Sequence, residues 1–240
     1  RKMPRRLRTI LGPIFHVAVC VHHISAILYS NKPKDFSRVT DERILNLEKF
    51  APFYFTSWNM IIQTIYFLLA MLYDILHIFT KQRHLETKVE LYKGYIFTSL
   101  VFPCSLFVST MFWSVYSINR EWVLPEVLDE FVPDWLNHSL HTNIVVFLII
   151  EVLIANQLLP TFKSAFIGLT TLSTIYNVVF LIVYFSCGQW IYGIFYIFTW
   201  PERIAFMLSN YVFVVMVMKA GLKIQSLKHK LICSVLHKQK

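Results

Sequence analysis

The stretch "APFYFTSWNMIIQTIYFLLAMLYD", residues 51–74, decides the fold class of this chain. Most of its side chains are aliphatic or aromatic, and its only charged residue is the aspartate at its end. A helix needs about 20 mostly apolar residues to cross the hydrocarbon core of a bilayer. The stretch is longer than that, and it therefore predicts a transmembrane helix.

The same test, carried outward along the chain, finds six spans. The predicted spans are 9–30, 51–80, 94–118, 138–159, 164–187 and 204–222. The aromatic segment "QWIYGIFYIFTW", residues 189–200, is too short to cross a bilayer by itself. We expect it to lie in the membrane interface or to re-enter the bundle, and a count of seven spans is the alternative. The prediction is an all-α integral membrane protein with a single domain, residues 1–240.

The composition is that of a membrane protein rather than of a soluble domain. Of the 240 residues, 56% are hydrophobic and 15% are charged, whereas a soluble domain has about 25% charged residues. The four cysteines stand singly, without the spacing of a disulfide frame or a zinc site. The basic residues 1–8 precede an apolar run without a small-residue cleavage site, so we predict a retained first helix rather than a signal peptide.

The distribution of basic residues predicts the orientation in the membrane. With six spans, 16 of the 23 Lys and Arg residues fall on the side of the two termini. The positive-inside rule then places both termini in the cytoplasm, with the protein in the plasma membrane or the endoplasmic reticulum. The net charge of +9 is interpreted as the charge of basic tails that bind anionic membrane lipids. No nucleic-acid partner is predicted.

Polar side chains inside a span are costly, so they mark the places where chemistry is to be sought. Thr56, Asn59 and Gln63 are spaced i, i+3 and i+7, which puts them on one face of the second span. Two interpretations stay open, namely hydrogen bonds between helices or a functional site. Asp74 lies about 27 Å along the same helix from Thr56 and is interpreted as an interfacial carboxylate at the opposite end.

A threonine and a histidine are predicted at the same depth. The second and fourth spans begin on the same side, and Thr56 and His141 each lie within about 10 Å of that surface. A threonine hydroxyl needs a base to act as a nucleophile, and histidine is the usual one. If the two helices touch, they form an acyl-transfer site in which Asn59 or Asn137 orients a group or donates to an oxyanion. Glu151 lies about 15 Å deeper than His141, where a structural and a functional role both stay open.

The histidines also raise the alternative of a metal or haem site. His138 and His141 stand at i, i+3 on one helix face, but no third ligand accompanies them. Haem carriers use histidines from facing helices. The pair His22–His23 lies at a different depth from His141 and is interpreted as a polar spot facing other helices. We therefore predict no metal and no cofactor. The sequon at Asn137 abuts the membrane and is expected to be unmodified.

The central segment "FPCSLFVSTMFWSVYSINREWVLPEVLDEFVPDWLNHSLHT", residues 102–142, carries a family resemblance. It resembles the FAR-17a-like family of androgen-induced and androgen-dependent TFPI-regulating proteins. The shared pattern runs through Phe-Pro, Phe-Trp, Pro-x-x-Leu-Asp and Trp-Leu-Asn-His-x-x-His-Thr. The second span also matches at Thr56, Asn59 and Gln63. The motif "GQWIYGIF", residues 188–195, is similar to the family's Gly-x-Trp-x-Tyr-Pro, with Gly193 in place of the proline.

The resemblance implies a multi-pass membrane threonine hydrolase that cleaves fatty acid esters of hydroxy fatty acids without a metal. By position, Thr56 is then the nucleophile, His141 is the base and His138 is a flanking histidine. Arg120, at the outer end of the third span, is a candidate to hold the carboxylate of the lipid. The alternative is a non-enzymatic membrane regulator or a lipid-binding, transporter-like protein in which Thr56 and His141 only pack.

Overall fold

The computed structural model describes residues 5–32, 41–79, 83–155 and 157–237 of the chain. These residues form α-helices joined by short turns, and they include no β-strand. The helices are α1 Arg5–Ser30, α2 Glu42–Phe50, α3 Phe55–Phe79, α4 Arg83–Ile96, α5 Phe102–Ile118, α6 Asp134–His141, α7 Asn143–Ile154, α8 Phe162–Cys187 and α9 Trp200–His237.

Five helical segments are long and apolar enough to cross a membrane: α1, α3, α4 continued by α5, α8 and α9. The pair α6–α7 passes the same test as one span that is bent by 42°. Large aliphatic and aromatic side chains such as Ile65, Leu153 and Phe185 are exposed on the outside of these helices. A bilayer covers such a surface, whereas water would not tolerate so large an apolar patch. The predicted all-α, multi-pass class is confirmed.

Several helices extend beyond or stop short of their predicted bounds, because hydropathy detects the apolar part of a helix and not its ends. The third span begins at Arg83 instead of residue 94, and the π-helical turn Phe97–Val101 joins α4 to α5 without a break. The fourth span runs from Asp134 to Ile154 instead of 138–159 and breaks at Thr142. The last helix continues well past residue 222, to its end in the described chain.

Two connections meet at one end of the bundle, which we call the loop end. The first is residues 119–133, and the second is residues 188–199, which we call the return segment. Helix α8 ends at Cys187 because Gly188 adopts a left-handed conformation with φ 68°, which favours glycine. The chain turns there and packs its aromatic side chains back against Phe180. The return segment contains a short 3-10 turn, Gly193–Tyr196, and does not cross the bundle.

Candidate active site

The two side chains on which the predicted chemistry depends lie close together at the loop end. Helix α3 begins at Phe55, after a 3-10 turn that contains Pro52, so Thr56 stands in the first turn of the helix. His141 is the last residue of α6, just before the bend at Thr142. Thr56 Oγ1 lies 3.3 Å from His141 Nε2. The structure therefore brings together the hydroxyl and the imidazole that the sequence places at equal depth.

The imidazole of His141 is oriented so that it can take a proton from Thr56. His141 Nδ1 lies 2.8 Å from Asn137 Oδ1 and 3.0 Å from the Asn137 carbonyl oxygen. Both oxygens are acceptors, so Nδ1 carries the hydrogen and Nε2 presents its lone pair to the hydroxyl. The ring also stacks on Phe112, with centroids 3.5 Å apart and planes inclined by 7°. The Asn137 side chain is buried in this arrangement, which leaves no room for a glycan.

Thr56 and His141 line a cavity of about 460 Å³ at the loop end, a size in the range of small-molecule sites, about 300–1,000 Å³. Exposed Lys32 and Glu48 lie among its lining residues and mark its rim. Most of the wall is apolar and includes Val108, Phe112, Leu140, Phe180 and Val214. A hydroxyl and an imidazole in the wall of an apolar cavity suit a ligand that has a polar group between hydrocarbon chains.

Asn59 and Gln63 lie in a buried polar network and not in the wall of the cavity. Gln63 Nε2 donates to Ser105 Oγ at 2.5 Å and to the Ile144 carbonyl at 3.2 Å, while its Oε1 accepts from His23 Nε2 at 2.9 Å. Ser105 Oγ lies 3.2 Å from Asn59 Oδ1. Asn59 does not line the cavity and its Oδ1 accepts from Ser105 of α5, so its predicted role in orienting a group at the site stays a prediction. These contacts fit the interpretation as hydrogen bonds between helices.

The histidine pair of α1 extends this network toward α6 and α7. His22 Nε2 lies 3.1 Å from Ser139 Oγ and 3.3 Å from Asn143 Nδ2, and His22 Nδ1 lies 3.3 Å from His23 Nδ1. The pair therefore contacts other helices, as predicted. The predicted difference in depth is wrong for His22, because Ser139 and Asn143 stand two residues before and two residues after His141. Across residues 5–32, 41–79, 83–155 and 157–237, no group of three or more His, Cys, Asp or Glu side chains is arranged to hold a metal ion.

Two of the predicted supporting residues lie outside the cavity. Arg120 Nη2 donates to Asp129 Oδ1 at 2.5 Å, and Arg120 Nε donates to the Leu124 carbonyl at 3.1 Å. The hydrogen bond to Asp129 raises the pKa of Arg120. The guanidinium is thus engaged within the 119–133 connection, and it does not line the cavity as a carboxylate-binding residue would. The His138 side chain is exposed and stacks on Trp113, with ring centroids 5.5 Å apart.

Glu151 lies in a cluster of buried polar and charged groups toward the other end of the bundle. Its Oε2 is 2.9 Å from His16 Nε2, and its Oε1 accepts from the Tyr66 hydroxyl and from Gln157 Nε2. The second ring nitrogen of His16, Nδ1, is 2.5 Å from Asp74 Oδ2. Asp74, the predicted interfacial carboxylate, therefore also has a partner within the bundle. We call these five residues the buried ion cluster, and none of them lines the cavity.

Sequence reasoning missed a pair of hydroxyl groups beside the proposed nucleophile. Tyr176 of α8 and Tyr192 of the return segment both line the cavity, and their hydroxyl oxygens are 2.9 Å apart. The backbone N–H of Phe55, the residue before Thr56, donates to the Tyr192 hydroxyl at 2.9 Å. The signal in the sequence was the aromatic motif at residues 188–195, which contains Tyr192 but does not indicate its partner.

Comparison with known proteins agrees with the pattern of the central segment. Residues 12–226 match the model of the FAR-17a/AIG1-like protein family. The androgen-dependent TFPI-regulating protein of Homo sapiens is 31% identical over 175 residues, which are 73% of this chain and 76% of that protein. The androgen-induced gene 1 protein of Homo sapiens is 30% identical over 146 residues, 58% of this chain and 61% of that protein. No solved structure matches the chain. The chain, as its central motif predicts, belongs to the FAR-17a/AIG1-like family.

Proposed function

We propose that this protein is a membrane-embedded hydrolase of lipid esters, with Thr56 as the nucleophile and His141 as the base. The observation that carries the proposal is the 3.3 Å approach of Thr56 Oγ1 to His141 Nε2 in the wall of an apolar cavity. The two Asn137 oxygens support it, because they fix the tautomer in which Nε2 accepts. A contact of this length is typical of a site without substrate, and such contacts tighten in the reacting complex.

The proposed reaction has two stages. The Thr56 hydroxyl attacks the ester carbonyl carbon while its proton moves to His141 Nε2. The tetrahedral intermediate expels the alkoxide, which takes that proton and leaves as an alcohol, so that an acyl-threonine remains. Water then attacks the acyl carbon and gives a proton to His141. Collapse of the second intermediate returns the proton to the Thr56 oxygen and releases the fatty acid.

The proposed substrates are fatty acid esters of hydroxy fatty acids, the class that the family resemblance implies. Their cleavage yields one fatty acid and one hydroxy fatty acid. The shape of the site supports this class, because the ester group of such a lipid lies between two hydrocarbon chains. Apolar side chains such as Val108, Phe180 and Val214 line the same cavity as Thr56 and His141. Burial of each methylene against such side chains contributes about 0.8 kcal/mol to binding.

Lipid binding without hydrolysis is the second candidate function, and the apolar cavity itself favours it. In that case Thr56 and His141 are packing partners, and the protein acts as a regulator or carrier. The two candidates differ in the fate of a bound lipid ester. A hydrolase converts the ester to two acids during incubation in detergent, whereas a carrier returns it intact to an organic extract.

We also propose that the protein lies in the plasma membrane or the endoplasmic reticulum with both termini in the cytoplasm. The excess of Lys and Arg at the terminal side supports this orientation. An epitope tag at the C-terminus is then expected to bind antibody only after the inner side of the membrane is made accessible by permeabilisation. Binding to intact cells, or protection of the tag in sealed microsomes, whose outer face is the cytoplasmic face, would reverse the orientation and place Thr56 on the cytoplasmic side.

The hydrolase proposal is tested by covalent labelling with a long-chain fluorophosphonate. We expect the Thr56 oxygen to displace fluoride and the intact mass to rise by one phosphonyl group. The label is expected on the peptide that contains Thr56. Thr56→Ala is expected to abolish labelling, while Thr64→Ala is expected to label normally. Thr64 is a suitable control because it lies about two turns after Thr56 on the same helix. Its hydroxyl donates a hydrogen bond to the Met60 carbonyl oxygen. Equal labelling of Thr56→Ala would refute the assignment.

A further inference from the structure

The hydroxyls of Tyr176 and Tyr192 are held at the helix end that carries Thr56. The N–H of Phe55 donates to Tyr192 Oη at 2.9 Å, and Tyr192 Oη lies 2.9 Å from Tyr176 Oη. The Tyr176 ring packs against Phe55, with centroids 4.6 Å apart, and against Trp58, with centroids 5.4 Å apart. Both hydroxyl-bearing residues line the same cavity as Thr56.

Counting the two hydroxyl protons shows that the Tyr176–Tyr192 pair can donate one further hydrogen bond. Two phenol groups carry two protons, and burial raises the pKa of Tyr192, so that its hydroxyl stays protonated. One of the two protons forms the bond between the two oxygens. No other acceptor among the described residues lies within hydrogen-bond distance of either hydroxyl. One phenol proton is therefore left for a ligand in the cavity.

The direction of the hydrogen bond between the two hydroxyls decides which of them holds that proton, and one of the two directions leaves it on Tyr176. The Phe55 N–H is a fixed donor, so Tyr192 Oη is an acceptor toward it. If Tyr192 then donates to Tyr176, each hydrogen bond polarises the next and strengthens it. The sequence Phe55 N–H to Tyr192 O–H to Tyr176 O–H ends with the proton of Tyr176. In the opposite arrangement Tyr192 accepts two bonds and its own proton is left for the ligand, and Tyr192→Phe would then show a larger loss of kcat than Tyr176→Phe.

We propose that Tyr176 donates a hydrogen bond to the ester oxyanion formed when Thr56 attacks, and that Tyr192 positions it. This inference rests on the proposed hydrolase function and adds a catalytic residue to it. As the Thr56 oxygen bonds to the carbonyl carbon, the carbonyl electron pair moves onto oxygen. The Tyr176 O–H stabilises that negative charge without giving up its proton. When the intermediate collapses, the electron pair returns to the carbonyl and the hydrogen bond weakens.

The test compares three tyrosine variants of the full-length protein in detergent micelles. Loss of one oxyanion donor typically lowers kcat by about 10²–10³-fold. We expect this loss for Tyr176→Phe, with KM changed by less than about threefold, because the bond forms only in the transition state. Tyr192→Phe is expected to lower kcat by about tenfold, as for the loss of one neutral hydrogen bond. Tyr184→Phe is the matched control, because Tyr184 packs in the same aromatic cluster but does not line the cavity.

Two ligands separate a catalytic from a structural role of Tyr176. A long-chain trifluoromethyl ketone accepts the Thr56 oxygen and forms a tetrahedral alkoxide, whereas an ether analogue of the lipid ester keeps the ground-state shape. In Tyr176→Phe we expect the affinity for the ketone to fall by the same factor as kcat, and the affinity for the ether to stay unchanged. An equal fall for both ligands would mean that the variant disturbs packing, and it would overturn the inference.

The failure of this inference is distinguishable from the failure of the proposed function. If Thr56→Ala loses ester turnover but Tyr176→Phe behaves as Tyr184→Phe does, the hydrolase proposal stands and the role of Tyr176 is refuted. If the wild-type protein turns over no lipid ester, or if Thr56→Ala keeps full turnover, both are refuted.

Discussion

Thr56→Ala and His141→Ala are each expected to lower kcat for lipid-ester hydrolysis by about 10³-fold or more, and the double variant is expected to lose no more than either single variant. The reason is that a hydroxyl and the base that activates it act as one unit. Without the Nε2 lone pair at 3.3 Å, the Thr56 hydroxyl is too weak a nucleophile. Without the hydroxyl, the imidazole has no proton to accept.

The measurement is single-turnover release of fatty acid from a long-chain ester of a hydroxy fatty acid. His138→Ala is the matched control for the histidine, because His138 stands three residues earlier on α6, is exposed and contacts Trp113 outside the cavity. It is expected to retain activity within about twofold, like other surface substitutions away from a site. Losses in the two single variants that multiply in the double variant would show that Thr56 and His141 act independently, and the proposed pairing would be wrong.

The depth of each residue in the membrane follows from the sequence. A bilayer limits the apolar length of a helix, so spans are visible in hydropathy, and successive spans alternate in direction. Thr56 and His141 could therefore be placed at the same level before any contact between them was known. The extent of helix beyond the bilayer is not constrained in this way. Accordingly the start at Arg83 and the break at Thr142 were not predicted.

The lateral neighbours of a helix do not follow from hydropathy, because lipid-facing and bundle-facing apolar side chains look alike in sequence. His16 reaches Asp74 and Glu151, which are 58 and 135 residues away in the chain. Tyr176 meets Tyr192 only because Gly188 turns the return segment back onto α8. These contacts depend on which helix faces meet, and that is decided by packing of the whole bundle.

The hydrogen-bond partner of Arg120 could not be predicted from the sequence for a different reason. Its position at the end of a span was predicted, and an arginine there has many available partners. Asp129, nine residues later, takes the guanidinium because the 3-10 turns Arg120–Trp122 and Glu126–Leu128 fold the connection into a compact loop. Local turns of this kind form for reasons of backbone geometry, and they leave little trace in composition.

Glu151→Ala is expected to destabilise the protein by about 3–5 kcal/mol, the usual cost of removing one side of a buried charged pair. The variant leaves His16, Tyr66 and Gln157 without the carboxylate that they contact. Lys93 is also buried and interacts electrostatically with Glu151, so it loses an opposite charge. For a chain of this size, we expect the Tm in detergent to fall by about 6–20 °C.

Two further variants show whether this loss comes from the buried ion cluster. Asp74→Ala is expected to cost less than Glu151→Ala, because the Asp74 side chain is 15% exposed and water can solvate what remains. Glu130→Ala removes an exposed carboxylate from the loop end and is expected to change stability by no more than about 0.5 kcal/mol. Equal Tm values for Glu151→Ala and Glu130→Ala would contradict a stabilising role for the cluster. Because the cluster lies away from the cavity, kcat per folded molecule is expected to survive Glu151→Ala, which separates its role in stability from the chemistry at Thr56.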